Sequence, residues 1–299
     1  MFPIIPAGSV TAPSGNEGIF GFGTTGSRTA VTNLVSNAGV VASDTSGVGT
    51  ARNNLAACEY GTDTAIFGFG SDGGGTAITN LVSNTGVVAS DQAATTGQTR
   101  NHLAACSYGG DKGIFGFGYY PSTYTDITNL VSNAGVVASD ISGVGTARYG
   151  LAGCSYGEDK GLFGFGIVPT GNVSMTNLVS NAGVVASDTS GVGTARSGLA
   201  ACEYGDDKGI FGFGDEGSLC DITNLVSNTG VVASDVTGVG TARYYLAACS
   251  YGDDKGIFGF GNDGSVCDIT NLVSNTGVLS SDVTGIGTAR EGPAGCSFG

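Results

Sequence analysis

Apolar residues in this chain come in short bursts of four to eight, separated by Gly, Asn, Asp and Ser, and the bursts repeat one text. Ile-Phe-Gly-Phe-Gly stands at Ile19–Gly23, Ile66–Gly70, Ile114–Gly118, Ile210–Gly214 and Ile257–Gly261, and as Leu-Phe-Gly-Phe-Gly at Leu162–Gly166, with starts 47 or 48 residues apart. A fixed period of this size marks an array of supersecondary units. The unit from Arg148 shows the pattern in full. Segment A is Leu151–Tyr156, B is Leu162–Gly166, C is Met175–Asn181 and D is Val184–Asp188. Each burst has strand length and none has helical period. Gly-Glu-Asp-Lys-Gly between A and B, and Asn-Ala-Gly between C and D, supply residues that accept the positive φ of tight hairpins.

The pattern therefore predicts an all-β chain of four-stranded antiparallel meanders. A single meander leaves apolar faces open, so the units must pack on one another, and four-stranded units in radial array make a β-propeller. Segments A, B and C each occur six times, but A is out of phase: its first copy is Leu55–Tyr60 and its last Pro293–Phe298. The expectation is a six-bladed β-propeller over 18–299, closed by the strand at about 293–298 joining the N-terminal blade at about 18–43. That closure leaves no free sheet edge. Residues 1–17, with Pro3, Pro6 and Pro13, read as an extended N-terminal arm.

Composition narrows the function. Among 299 residues there are 55 Gly, 6 Pro and no Trp, and the formal net charge is −14. An acidic chain repels phosphate backbones, so nucleic acid is not an expected partner. No apolar run approaches the roughly 20 residues of a membrane-spanning helix, and the first residues carry no basic or long apolar stretch of the signal-peptide kind. Six of the eight cysteines fall on one repeat position (Cys58, Cys106, Cys154, Cys202, Cys249, Cys296). Equivalent atoms of successive units lie too far apart for a disulfide, so these read as buried thiols of a chain made in a reducing cytosol. Cys220 and Cys267, at matching loop positions of the last two units, are too far apart for a disulfide and read as drift or a recent duplication.

The order of Arg243-Tyr-Tyr-Leu-Ala-Ala-Cys-Ser-Tyr251 followed by Gly256-Ile-Phe-Gly-Phe-Gly261 resembles the kelch repeat: Arg, a small apolar strand, a tight turn, then an aromatic strand ending in glycine. The resemblance covers 18–299 and implies a propeller. It departs from the kelch pattern where Phe260 splits the paired glycines and where Val231-Val232 replaces the Trp of the last strand. The near-identical Thr-Asn-Leu-Val-Ser-Asn text also resembles repeat chains of bacteriophages and other viruses, which implies a virion structural protein made in the host cytoplasm; the alternative is an intracellular kelch-type adaptor.

Candidate chemistry is sparse. His102 is the one histidine, so neither a multi-histidine copper site nor a Ser-His-Asp triad has its parts. No Cys pair has zinc spacing; no metal or cofactor is expected. The Asp206-Asp207 and Asp253-Asp254 turns read as solvated hairpins. Paired carboxylates across a channel are the glycosidase alternative, but no single pair stands out. Each D-to-A loop is flanked by Asp and Arg: Asp44/Arg52, Asp91/Arg100, Asp140/Arg148, Asp188/Arg196, Asp235/Arg243 and Asp282/Arg290. Repetition of this pair marks a structural clamp. Variation between units collects in the B-to-C loops and the two residues after each Arg, which a meander brings to one face. Tyr119, Tyr120, Tyr124, Tyr149, Tyr244, Tyr245 and His102 lie there. Loops on a rigid frame commonly carry function, and exposed Tyr offers contact area at low entropic cost. The expected role is non-enzymatic: a tail, fibre or capsid decoration whose arm contacts other virion proteins and whose loop face binds a host-surface molecule, a glycan among the choices.

Overall fold

Residues 16–92 and 97–299 are described in the computed structural model of the chain. The expected arm lies outside the described residues except for Asn16 and Glu17. The chain runs through β1 (Glu17–Gly21), β2 (Thr32–Val35), β3 (Ala56–Tyr60), β4 (Thr64–Gly68), β5 (Thr79–Val82), β6 (Ala104–Tyr108), β7 (Lys112–Tyr120) and β8 (Thr123–Val131). Next come β9 (Ala152–Tyr156), β10 (Lys160–Gly164), the short hairpin β11 (Ile167–Val168) and β12 (Gly171–Asn172), and β13 (Thr176–Val179). The remainder is β14 (Ala200–Tyr204), β15 (Lys208–Gly212), β16 (Thr223–Val226), β17 (Ala247–Tyr251), β18 (Lys255–Gly259), β19 (Thr270–Val273) and β20 (Ala294–Phe298). All pairing between strands is antiparallel, and no helix among the described residues is long and apolar enough to cross a membrane.

Each unit is a three-stranded sheet with the aromatic strand in the middle, as in β9-β10-β13, where Leu162 stands opposite both Cys154 and Leu178. The middle strand is buried on both faces, so it reads as a continuous apolar run, whereas β3 and β14 alternate buried and partly open. The first sheet takes its strands from both ends of the chain: Ile19 of β1 pairs with Cys296 of β20 and with Leu34 of β2. The first strands contact one another in the order β3, β6, β9, β14, β17, β20 and back to β3.

A cycle of backbone hydrogen bonds runs through the same order. The N–H of Asn54 donates to Gly292, His102 to Asn54, Gly150 to His102, Gly198 to Gly150, Tyr245 to Gly198 and Gly292 to Tyr245, each 2.7–2.9 Å. These six residues all have positive φ, including the non-glycines Asn54, His102 and Tyr245 at 53°, 52° and 50°. The closed cycle over-determines them, which is how such conformations persist.

Segment D corrects the four-strand expectation. It forms no strand. Val185 and Thr189 make isolated bridges to Val179 and Thr176, and between them one backbone bond remains, from Ala186 N–H to Leu178 O at 2.8 Å. There the side chain of Asn177 reaches Ala186 O at 3.0 Å in place of a ladder bond, and Asp188 turns inward. Val184 is 64% exposed while Val185 is buried, so only half of the segment has an apolar surface to lie on.

Strand alternation predicts Phe163 and Phe165 on one face, packing on a neighbour's Gly-rich face, and Leu162 with Gly164 on the other. In the structure Phe163 and Phe165 do not share a face. The strand ends at Gly164, and Phe165 takes φ 64°, which swings its ring to the side of Leu162. All six equivalents (Phe22, Phe69, Phe117, Phe165, Phe213, Phe260) do this. Successive units then interlock edge to face, Phe117 on Phe163 at 5.4 Å and Phe165 on Phe211 at 5.1 Å. The expected Phe-on-Gly packing is present: a Cβ on Gly116 would stand 2.9 Å from Cζ of Phe163. Gly116→Ala should therefore cost about 2 kcal/mol through overpacking, read as a lowered denaturation midpoint; an unchanged midpoint would show the interlock to be loose.

Candidate functional site

The frame beneath the variable loops is set by the six arginines, all fully buried. Arg148 donates from Nε to Phe165 O (2.8 Å), from Nη1 to Thr146 O (3.1 Å) and from Nη2 to Asn177 Oδ1 (2.6 Å). Its guanidinium lies 4.2 Å over the Phe117 ring of the preceding unit. Burial lowers its pKa to about 10, partly offset by Asp188, so the group is charged at neutral pH. Both the hydrogen-bond fork and the planar stack require Arg; Lys supplies neither.

The carboxylate that serves Arg148 is Asp188, not the Asp140 that flanks the same loop. Asp188 accepts from Thr146 N (3.0 Å), Thr146 Oγ1 (2.6 Å) and Asn177 Nδ2 (2.8 Å), and lies 3.8 Å from Arg148 Nη1. The same shift holds for Asp91 on Thr50, Asp140 on Gln98, Asp235 on Thr194 and Asp282 on Thr241. Asp44 reaches Thr288, beside Arg290, across the chain ends. Each Asp therefore clamps the loop that opens its own sheet, some 40 residues back. Flanking position misassigned the partner because it follows the chain, whereas the clamp follows the sheet.

Above this frame the two variable sets meet. Backbone bridges join Asn53 to Ser71, Asn101 to Tyr119, Tyr149 to Ile167, Ser197 to Asp215, Tyr244 to Asn262 and Glu291 to Thr24. Six of the seven candidate residues form one connected arc. Tyr119 and Tyr124 lie 5.9 Å apart and 5.3 and 5.2 Å from Tyr149; Tyr149 is 5.5 Å from His102, His102 5.4 Å from Tyr245, and Tyr245 4.5 Å from Tyr244. All are half-buried. Tyr120, opposite Thr123 near the tip of the β7–β8 hairpin, makes no ring contact with the arc. His102 and Tyr245 face each other over the mouth of the cycle, above a cavity of about 70 Å³ floored by Leu55, Leu103, Leu151, Leu199, Leu246 and Pro293. Burial lowers His102 to a pKa of about 4, so its ring is neutral near pH 7; Nδ1 lies 2.8 Å from Asn101 Oδ1. Burial raises Tyr245 to about 12.

A second feature was not singled out from the sequence. The six first strands line a central cavity of about 50 Å³. One level of it carries Ala or Gly, and the next carries Glu59, Ser107, Ser155, Glu203, Ser250 and Ser297. Glu59 and Glu203 lie on β3 and β14, three steps apart in the six-strand cycle, and so stand on opposite sides of the lumen. Burial, reinforced by Glu203, pushes Glu59 up to about 8, against the pull of a Ser297 hydrogen bond. Burial raises Glu203 as well. Among the described residues no Lys, Arg or His lines this cavity. The available signal was the residue after each segment-A Cys: Ser or Glu, with Glu in units three apart.

The thiols are free and buried, Cys220 and Cys267 included. In the Asp-rich turns, Asp207 is engaged by Lys208 (2.6 Å) and Asn228 (3.0 Å). Compared with known proteins, the chain matches no family model and no curated sequence, so the geometry of the loop face and lumen carries the functional reading.

Proposed function

We propose that the chain is a six-bladed β-propeller that serves recognition, displayed on a virion and presenting its loop face to a molecule on a host-cell surface. One observation carries the reading. The side chains that break an otherwise repeated text collect in a single aromatic arc on one face, supported by buried arginines that repeat without change. The cyclic order of the first strands and the ring of backbone hydrogen bonds support the propeller. Resemblance of the repeat text to viral repeat chains supports the virion setting, with residues 1–17 as the tether to other virion proteins.

The test is binding of fluorescently labelled protein to a panel of bacterial cells. Tyr149→Ala combined with Tyr244→Ala should weaken binding at least about tenfold, the scale set by losing one or two aromatic anchors, with little change in the unfolding midpoint. Equal binding by the folded variant and the original chain would refute the assignment of this face.

A further inference from the structure

We infer that the ligand of this face is a neutral carbohydrate, laid along the aromatic arc with its hydroxyls on the carboxylates at one end. The inference rests on the recognition reading above and gives it a ligand class. Ring spacing is the first observation. An ammonium or guanidinium held between aromatic faces needs about 4 Å to each, the distance at which Arg148 lies over Phe117. Two faces that meet at a right angle around one cation have centroids about 5.7 Å apart; only Tyr119–Tyr124, at 5.9 Å and 86°, has that shape, and the other pairs of the arc, at 4.5–5.5 Å and tilts of 35–69°, do not. What the half-buried rings offer is outward apolar area with a polar rim, which suits the C–H face of a pyranose.

Charge is the second observation. Arg28 is the one Lys or Arg in the variable loops and post-Arg pairs, against Asp72, Asp215, Glu216, Asp263 and Glu291 among others. The repeated arginines are buried beneath the face and cannot reach a ligand. A sialylated, sulfated or phosphorylated glycan would meet repulsion here. A carboxylate with no cation on it accepts hydroxyl hydrogen bonds through several lone pairs. Glu291 is placed for this: its Oε2 accepts from Asn262 Nδ2 at 2.7 Å, and it lies beside Tyr244 together with Asp215. Third, the arc extends on both sides of the mouth, from Tyr124 to Tyr244, which is longer than one sugar ring and calls for an oligosaccharide. Neutral His102 adds no positive charge at its centre.

The test is an array of neutral, sialylated and sulfated oligosaccharides with an arginine-rich peptide, probed with the full chain, Tyr149→Ala, Tyr244→Ala and Glu291→Gln, each checked for an unchanged unfolding midpoint. Capture by neutral oligosaccharides, insensitive to salt and weakened at least about tenfold by either Tyr change and several-fold by Glu291→Gln, is the expected result. Capture confined to acidic glycans, or salt-sensitive capture by the basic peptide, overturns it. So does failure on every neutral oligosaccharide; if the Tyr variants then still lose cell binding, recognition by this face stands and only the ligand class falls.

Discussion

Arg148→Ala should lower the stability of the chain by about 4 kcal/mol, a loss at the upper end for single substitutions. The change removes a fully buried side chain whose fork satisfies three oxygens at once: Phe165 O, Thr146 O and Asn177 Oδ1. Each acceptor left without a donor in a dry site costs about 1–3 kcal/mol. The stack on Phe117, which ties the unit to its predecessor, goes too. Arg148→Lys keeps the charge and loses both the fork and the stack, so it should recover less than half of the deficit. Urea unfolding of the three proteins measures this. Because Asn177 joins Arg148 to Asp188, Asn177→Ala and Arg148→Ala should also be strongly non-additive in a double-mutant cycle. A shift below about 1 kcal/mol for Arg148→Ala would mean that the arginine ring merely fills space.

The second large effect is on pH. An unfolded Glu releases its proton near 4.5, whereas Glu59 in the lumen holds it to about 8. Across that interval the folded chain binds a proton that the unfolded chain has lost, so stability falls as pH rises from 4.5 to 8 and levels off above. Below 4.5 both states are protonated and the group contributes nothing. Glu203, raised in the same direction by burial, adds to the same trend. At about 1.4 kcal/mol for each pKa unit, the cost at pH 8 is on the order of 5 kcal/mol. Glu59→Gln resembles the protonated acid and should remove Glu59's share of the slope, leaving that of Glu203, and make the variant more stable than the original chain at pH 8 and nearly equal to it at pH 4.5. Thermal midpoints across that range provide the comparison. Parallel curves for the two proteins would show that the lumen carboxylates are as well solvated as surface ones.

A counter-trend operates in acid. Burial alone would raise the clamp carboxylates Asp44, Asp91, Asp188, Asp235 and Asp282, but hydrogen bonds from Thr hydroxyl, Asn amide and Thr backbone N–H hold them below the usual range. Their contribution is present above the ordinary Asp pKa and is lost as pH falls through their folded values. The two groups of carboxylates therefore bracket the stability maximum at mildly acidic pH.

Much of this architecture was legible in the residues. Burst length and turn chemistry specified segments A, B and C as strands, and the out-of-phase count of A against B specified the pairing of Ala294–Phe298 with Glu17–Gly21. Small residues at Cys58 and its equivalents marked the first strands, and comparing units with each other located the face where Tyr149, His102 and Tyr245 meet. Such features depend on neighbours within a few residues, or on counting copies of one text, and a linear chain contains that information. Tertiary structure alone decided the rest. Segment D formed no strand because Asn177 took the carbonyl of Ala186 from the side and Asp188 turned to Thr146 of the preceding loop. Phe165 crossed to the other face through a left-handed turn imposed by the interlock. Asp188 found Arg148 rather than Arg196 because sheets, not loops, set the distance. Glu59 and Glu203, 144 positions apart, came to share a proton's environment only once six first strands had closed into a cycle, since opposition across a lumen is a property of the ring and of no segment within it.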